Sequence, residues 1–317
     1  MNITVVGAGV IGLTTAVALE RAGHVVRVVA ARPGLEATSG AAGAIWMPVR
    51  IAAGRRELAW AAASYREFTR IAAEHPEAGV DILTAYEVTD EEDVQPWWAE
   101  AVDGFRLVET AGVYQRGRRA WSFPSPRIEP GLYLPWLAGQ FAGRSEVAEV
   151  TTLNDVEGDL VVNCTGLGAR RLCGDCDLVG VLGQTVIVEP GTLDTGTFIG
   201  DERDQEAIFY AIPRRREVVL GGCRTEVAGE EVPPPDPALR AAILRRCREA
   251  GYEPGAILRE RSGLRPVRPR VRLEREGRII HNYGHGGAGY TLSWGCAAEA
   301  VELAGLGTSQ EETRDRP

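Results

Sequence analysis

Residues 2–12 read Asn2-Ile3-Thr4-Val5-Val6-Gly7-Ala8-Gly9-Val10-Ile11-Gly12, a β-branched run that passes directly into a Gly-x-Gly-x-x-Gly turn. The apolar β-branched residues suit a strand buried on both faces. Leu13 to Gly23 (LTTAVALERAG) has helical character and closes on a glycine where a helix C-cap is expected. A second β-branched stretch, Val25 to Val29, completes a βαβ unit. In such a unit each glycine has a task. Gly7 makes the tight turn, Gly9 lets the backbone of Ala8, Val10 and Ile11 reach a pyrophosphate, and Gly12 lets helix and strand pack closely. The helix start adds N–H groups and a positive dipole end that favour phosphate. The stretch therefore predicts a dinucleotide-binding unit.

Which dinucleotide it takes depends on the residues after the second strand. The acidic residue expected at the end of that strand is missing; the chain reads Val29-Ala30-Ala31-Arg32-Pro33. Arg32 could face the 2′-phosphate of NADP or, with Ala31 beside it, lie along the adenine and pyrophosphate of FAD. The small-residue loop Thr38-Ser39-Gly40-Ala41-Ala42-Gly43-Ala44 favours FAD, because a second loop so close behind the first can wrap a long, buried cofactor.

Composition sets outer limits. At roughly 100–200 residues per domain, 317 residues allow two or three units. Hydrophobic residues at 44% and charged residues at 25% are those of a globular chain, and the 38 glycines lack the triplet period of collagen. A net charge of −9 argues against a nucleic-acid binder, which needs a basic field to displace counterions. The six cysteines are too sparse for a disulfide framework and fit a reducing compartment. Cys173-Gly-Asp-Cys176 has metal or redox spacing, but no second pair accompanies it; it reads as two thiols in a turn, with no metal expected. The uncharged run from Ile3 to Leu19 lacks a basic leader, is shorter than the ~20 residues that cross a bilayer, and carries the three glycines. Neither membrane nor signal segment is expected, and cytoplasmic residence is the default.

Two later stretches are more specific than the glycine turn: Ser262-Gly-Leu-Arg265-Pro-Val-Arg268-Pro, and His281-Asn-Tyr-Gly-His285-Gly286-Gly287-Ala-Gly289-Tyr290-Thr291. With the N-terminal loop, the Ala42-Gly43 loop and Val161-Val162-Asn163-Cys164-Thr165-Gly166, they resemble the D-amino-acid oxidase family, including its D-aspartate oxidase branch. The resemblance runs in the same order along the whole chain. It implies an α/β fold: a Rossmann-type FAD-binding domain with an inserted α+β substrate domain built on an antiparallel sheet. The division expected is 1–75, 134–180 and 262–310 for FAD, 76–133 and 181–261 for substrate, and 311–317 as a tail. The sequence supports it with strands at Val161–Asn163 and Arg278–Tyr283, and hairpin-like runs at Gly183–Val188, Ala207–Ile212 and Glu217–Leu220. Pro213-Arg-Arg-Arg216 reads as a solvated turn, and LRPVRPRVRLERE alternates like a strand edge. Residues 55–74 place Leu58, Ala62, Tyr65, Phe68 and Ala72 on one helical face, a core stripe.

The resemblance also assigns roles. Arg265 becomes the carboxylate clamp, a task that suits the planar fork of a guanidinium. Tyr210 matches the tyrosine whose hydroxyl bonds the same carboxylate, although its residue type alone fits an aromatic core position. The Gly287 carbonyl would accept from the substrate amine, and Met47 would line the substrate side. Val150, Thr165, Gly166, Gly286, Gly289, Tyr290 and Thr291 join the FAD contacts, with N–H groups of Gly286, Gly287 and Gly289 facing the flavin pyrimidine ring ahead of a helix from about Thr291 to Leu306. The sequence departs from the family at one point: Glu206 stands where a second active-site tyrosine sits on a mobile lid, and the loop from Phe198 to Tyr210 is short. Lid behaviour therefore does not carry over.

The activity implied is oxidation of neutral or apolar D-amino acids, with hydride leaving Cα for flavin N5, O2 reoxidising the flavin to give hydrogen peroxide, and the imino acid hydrolysing to a 2-oxo acid and ammonia. The amine lone pair drives that step, so His285 is not needed as a base. An acidic substrate would require a second cation, from Arg50 or Arg203. The competing readings are D-aspartate oxidase, a glycine or sarcosine-type amine oxidase, and a non-catalytic flavin-binding regulator. The partners expected are a small D-amino acid and O2, with self-association left open.

Overall fold

The computed structural model describes residues 1–48, 51–92, 94–110, 114, 119–204 and 206–306. The chain opens with β1 (Asn2–Val6), α1 (Val10–Arg21) and β2 (Val25–Ala30), followed by α2 (Thr38–Ala41) and α3 (Arg55–Glu74). Next come β3 (Val80–Thr89), β4 (Arg106–Glu109), β5 (Arg119–Ile128), α4 (Pro130–Gly139), β6 (Arg144–Val147), β7 (Leu160–Asn163) and α5 (Ala169–Cys173). A run of strands follows: β8 (Val179–Val188), β9 (Thr197–Asp201), β10 (Phe209–Pro213), β11 (Val218–Gly221) and β12 (Thr225–Val227). The described chain ends with α6 (Pro237–Glu249), β13 (Ile257–Glu276), β14 (Ile279–His285) and α7 (Gly289–Gly305).

Ile3, Val5 and Val6 are buried, as a strand covered on both faces requires, and β1 pairs in parallel with β2 on one side and β7 on the other. With β14 and β6 at its flanks, this layer is parallel throughout and carries the Gly7–Gly12 turn. The remainder is largely antiparallel, in the order β4-β5-β3-β9-β10-β11-β8-β13, with β12 also paired to β8. The two halves are one continuous sheet.

β13 joins them. Residues 257–267 pair with β8, residues 267–276 pair with β14, and the register shifts between Val267 and Arg272. The stretch expected at a strand edge is laddered on one side at a time, on β8 as far as Val267 and on β14 from Arg272 onward, with Val267 alone paired to both. Its arginines meet carboxylates: Arg268 Nε donates to buried Asp175 at 3.0 Å and Arg272 Nε to Glu274 at 2.6 Å. The expected domain limits at 180/181 and 261/262 fall within β8 and β13.

Two further expectations are corrected. The buried stripe of α3 is Glu57, Trp60, Ala61, Ser64, Tyr65, Phe68 and Ile71, while Leu58, Ala62 and Ala72 are half-buried. The rotation comes from α7: Gly295 has no Cβ to collide with the Trp60 backbone, and Ser64 Oγ accepts from the N–H groups of Trp294 and Gly295 at 3.1 Å each. The triple-arginine turn is not wholly solvated either. Arg214 is buried, donating from Nη2 to the Ala42 carbonyl at 3.0 Å and pairing with Glu217. Among the described residues no helix is long and apolar enough to cross a membrane.

Candidate active site

One cavity of about 890 Å³ runs from the β1–α1 turn to the antiparallel sheet. At the dinucleotide end, Gly7 takes φ +115° and donates its N–H to the Val29 carbonyl at 2.8 Å. A Cβ on Gly7 would strike the Cys164 carbonyl, and one on Gly12 would strike the Gly7 carbonyl, so strand, turn and helix close only because both are glycine. Ala8, Gly9, Val10 and Ile11 line the cavity; Gly12 sits behind them in that packing contact. The Val10 N–H does not face an open site, because Ser39 Oγ accepts it at 2.9 Å across 29 residues. Ser39 thereby supplies the helix cap that Gly9 lacks a side chain to provide.

Ala31, Arg32, Thr38, Ser39, Ala42, Gly43, Ala44, Val150, Thr165 and Gly166 all line the same cavity. The Thr38–Ala44 segment begins as the short helix α2 and is held from the sheet: Thr38 Oγ1 donates to the Leu264 carbonyl at 3.2 Å, and Arg261 Nη1 to that of Gly40 at 2.7 Å. Burial lowers the pKa of Arg214, the third tether of this loop. Ala44 takes φ 57°, the single positive-φ position outside glycine among the described residues. Sequence reading found no acid near the ribose position. The structure brings Glu36 to the cavity wall from a 3-10 turn at Gly34–Glu36, a position that the linear spacing after β2 did not reveal.

At the opposite end stand Arg265 and Tyr210. Arg265 Nη1 donates to the Cys223 carbonyl at 2.9 Å and to that of Leu182 at 3.4 Å. Burial pushes the Tyr210 phenol up, while the adjacent Arg265 guanidinium pulls it down. Three glycines to which the sequence alone gives no role at the site make room for this pair. A Cβ on Gly183 would come within 2.8 Å of the Arg265 guanidinium, and one on Gly221 or Gly222 would overlap the Tyr210 ring.

Met47 lines the cavity between the two ends, its N–H donating to Thr291 Oγ1 at 3.1 Å. Thr291 itself does not reach the cavity wall; its hydroxyl fixes the Met47 backbone instead, also donating to the Met47 carbonyl. Gly286, Gly287, Gly289 and Tyr290 do line it, but the Gly286 N–H donates to the Pro266 carbonyl at 2.8 Å and does not face a ligand. Tyr290 donates its hydroxyl to the Ser39 carbonyl at 3.0 Å, joining the two glycine-rich loops. Glu206 lies outside the cavity lining and is exposed. Arg203 also lies outside it, with its guanidinium engaged by Asp201 and Asp90 at 2.6–2.9 Å. Arg50 falls outside the described residues. Arg224, besides Arg265 and Arg261, also lines the cavity.

His285 Nε2, Ser262 Oγ, Thr185 Oγ1 and Asn282 Oδ1 are buried without hydrogen-bond partners, and their residues line the cavity through other atoms. Burial lowers His285 to a pKa of about 3, so its ring is neutral. Among the described residues no group of three or more His, Cys, Asp or Glu side chains could hold a metal ion. A turn that closes only because Gly7 and Gly12 lack a Cβ, and the long cavity that begins at it, fit FAD.

The fold and cavity together define a flavin-dependent oxidoreductase. The family described as FAD dependent oxidoreductase matches residues 2–303, and the chain belongs to it. D-amino-acid oxidases of Rubrobacter xylanophilus and Streptomyces coelicolor are 41% and 40% identical over 320 and 317 residues, each alignment covering 96% of both chains. Human D-aspartate oxidase is 32% identical over 328 residues, covering 95% of this chain and 94% of its own. The solved glycine oxidase of Geobacillus kaustophilus shares the fold with a TM-score of 0.79 at 19% identity, covering 96% of this chain and 94% of that one.

Proposed function

We propose that the chain oxidatively deaminates neutral and apolar D-amino acids to 2-oxo acids, ammonia and hydrogen peroxide. The observation that carries this reading is the pairing of Arg265 and Tyr210 in the same cavity as the Gly7–Gly12 cradle. Arg265 Nη1 is anchored on two carbonyls, which holds the guanidinium so that its other donors can grip a carboxylate bidentately. Tyr210 adds one hydroxyl donor to the same carboxylate, and the Gly287 carbonyl accepts from the amine. The substrate side chain then meets Met47, Phe198 and Ile212, an apolar wall that suits neutral substrates. Neutral, buried His285 lacks the charge to act as an acid, and none is required: orientation of a neutral amine is the protein's contribution. Bound FAD supplies the acceptor for the hydride leaving Cα, with O2 as its reoxidant. In this reading the parallel layer serves FAD and the antiparallel strands serve substrate.

Purified protein mixed anaerobically with paired D- and L-amino acids should bleach with D-isomers and yield peroxide when air is admitted. Bleaching by L-isomers alone would refute the reading. Arg265→Ala should keep its FAD and lose turnover by orders of magnitude. A second reading, oxidation of acidic D-amino acids, is favoured by Arg224 in the cavity wall. D-aspartate in the same panel separates the two.

A further inference from the structure

A second, smaller cavity of about 210 Å³ lies across Leu172 from the first, and its wall includes Cys173, His281, Glu276 and Arg272. The hydrogen bonds around it fix the roles of these groups. Asn163 Oδ1 accepts from Thr165 N at 3.2 Å and Thr165 Oγ1 at 2.7 Å, which turns the Asn163 amide nitrogen toward Cys173 Sγ at 3.1 Å and His281 Nδ1 at 3.4 Å. An N–H donor facing Nδ1 makes that nitrogen an acceptor. His281 Nε2 then carries the proton and donates to Glu276 Oε2 at 3.2 Å. Asn163 donates at shorter range to the Cys173 sulfur, at 3.1 Å, than to Nδ1, at 3.4 Å, and Nδ1, 3.8 Å from Sγ, accepts the thiol proton once that longer Asn163 contact gives way. Burial pushes this thiol up, so it rests protonated and must release its proton as it reacts.

We propose that Cys173 is an oxidation site for a hydroperoxide that enters the small cavity. The thiol sulfur attacks one peroxide oxygen as its proton passes to His281 Nδ1. An S–O bond forms, the O–O bond breaks, and sulfur loses two electrons. The departing oxygen takes the proton back from His281, leaving water and a Cys173 sulfenic acid. The carboxylate of Glu276 holds the imidazole in the accepting tautomer throughout, the logic of a nucleophile, a base and an orienting acid. That the peroxide comes from the chain's own turnover rests on the function proposed above; the chemistry at Cys173 does not.

Exposure alone gives the opposite ranking, because Cys176 is exposed and Cys173 only half-buried. Full-length holoprotein should be treated with added hydrogen peroxide and a sulfenic-acid trapping dione, and the adducts located by peptide mass spectrometry. Cys173 should be trapped about a hundredfold faster than Cys176, the lower end of what a positioned base contributes. Equal trapping, faster trapping at Cys176, or no adduct on Cys173 overturns the proposal. His281→Gln should slow trapping at Cys173 and leave Cys176 unchanged, with Glu276→Gln, at an exposed position, giving a smaller loss in the same direction. If neither changes the ratio, the base assignment fails. A parallel arm replaces added peroxide with a D-amino acid in air, with and without catalase. Trapping with added peroxide but none in this arm would overturn self-oxidation and count against the oxidase reading, leaving the Cys173 chemistry intact.

Discussion

Gly183→Ala tests the carboxylate clamp without touching it. The added Cβ would lie 2.8 Å from Arg265 Cζ and Nη2 and 3.2 Å from Nε. Comfortable contacts need about 3.5 Å or more, so the guanidinium must retreat by about 0.7 Å. The atoms that yield are the far end of a flexible side chain, so β8 and its partners should stay in place, with melting temperature and flavin content unchanged. The clamp keeps its charge and loses its aim. A misplacement near 1 Å costs about a hundredfold in rate, so kcat/KM for the best D-amino acid should fall roughly 10- to 100-fold, or about 1.4–2.7 kcal/mol. The assay is steady-state peroxide formation, with anaerobic flavin reduction followed in a stopped-flow instrument. A kcat/KM within about threefold of the parent, at full flavin content, would show that Arg265 does not grip substrate from this position.

Other outcomes are sharper for stability than for rate. Gly12→Ala sets its Cβ against the Gly7 carbonyl, a backbone group that cannot swing aside, so the protein should lose about 1–3 kcal/mol and purify with little flavin; a yellow variant with the parental melting temperature would refute that. His285 is neutral in the folded chain, with a pKa of about 3 against 6.5 for the free side chain, so the unfolded chain binds the extra proton as pH falls below 6.5. Stability should therefore drop by about 1.5 kcal/mol between pH 6.5 and 5 on this account, and His285→Asn should flatten that slope in urea titrations; parallel profiles would refute it. The segment before Tyr210 is tied down by Arg246, which donates to the carbonyls of Glu206, Ile208 and Gly222 at 2.9–3.0 Å. Product release should accordingly not limit turnover, and pre-steady-state kinetics with release much slower than flavin reduction would contradict this.

What the sequence disclosed and what it hid divide along physical lines. β1, Gly7, α1 and β2 were legible because their contacts are local: the residues that make the turn are those that pack in it. Arg214 was misread because its turn is local but its acceptor, the Ala42 carbonyl, comes from 172 residues away. The seats at Gly183, Gly221 and Gly222 were invisible for the same reason, since a glycine's neighbour across a sheet is not written beside it. The edge-like alternation of arginine and apolar residues in β13 has a local cause, since each part of the strand ladders on one side only, but that the same strand joins β8 to β14 depends on partners far away in the chain. Gly286 was placed near the right wall, but the partner of its N–H, the Pro266 carbonyl, depends on how β13 bends.

That bend also sets how the enzyme could move. Arg265 sits on β13 two residues before Val267, where the strand leaves β8 and turns to pair with β14. Arg265, the proposed substrate anchor, and the parallel layer that carries the Gly7–Gly12 turn are therefore joined through one unbroken strand, with no linker between them. Hinged closure of one half over the other would have to tear ladder hydrogen bonds. Access must instead be governed at the margin formed by residues 224–232, several of which line the cavity. Grafting a different substrate pocket onto this chain would thus mean keeping the β13 register intact and exchanging that margin.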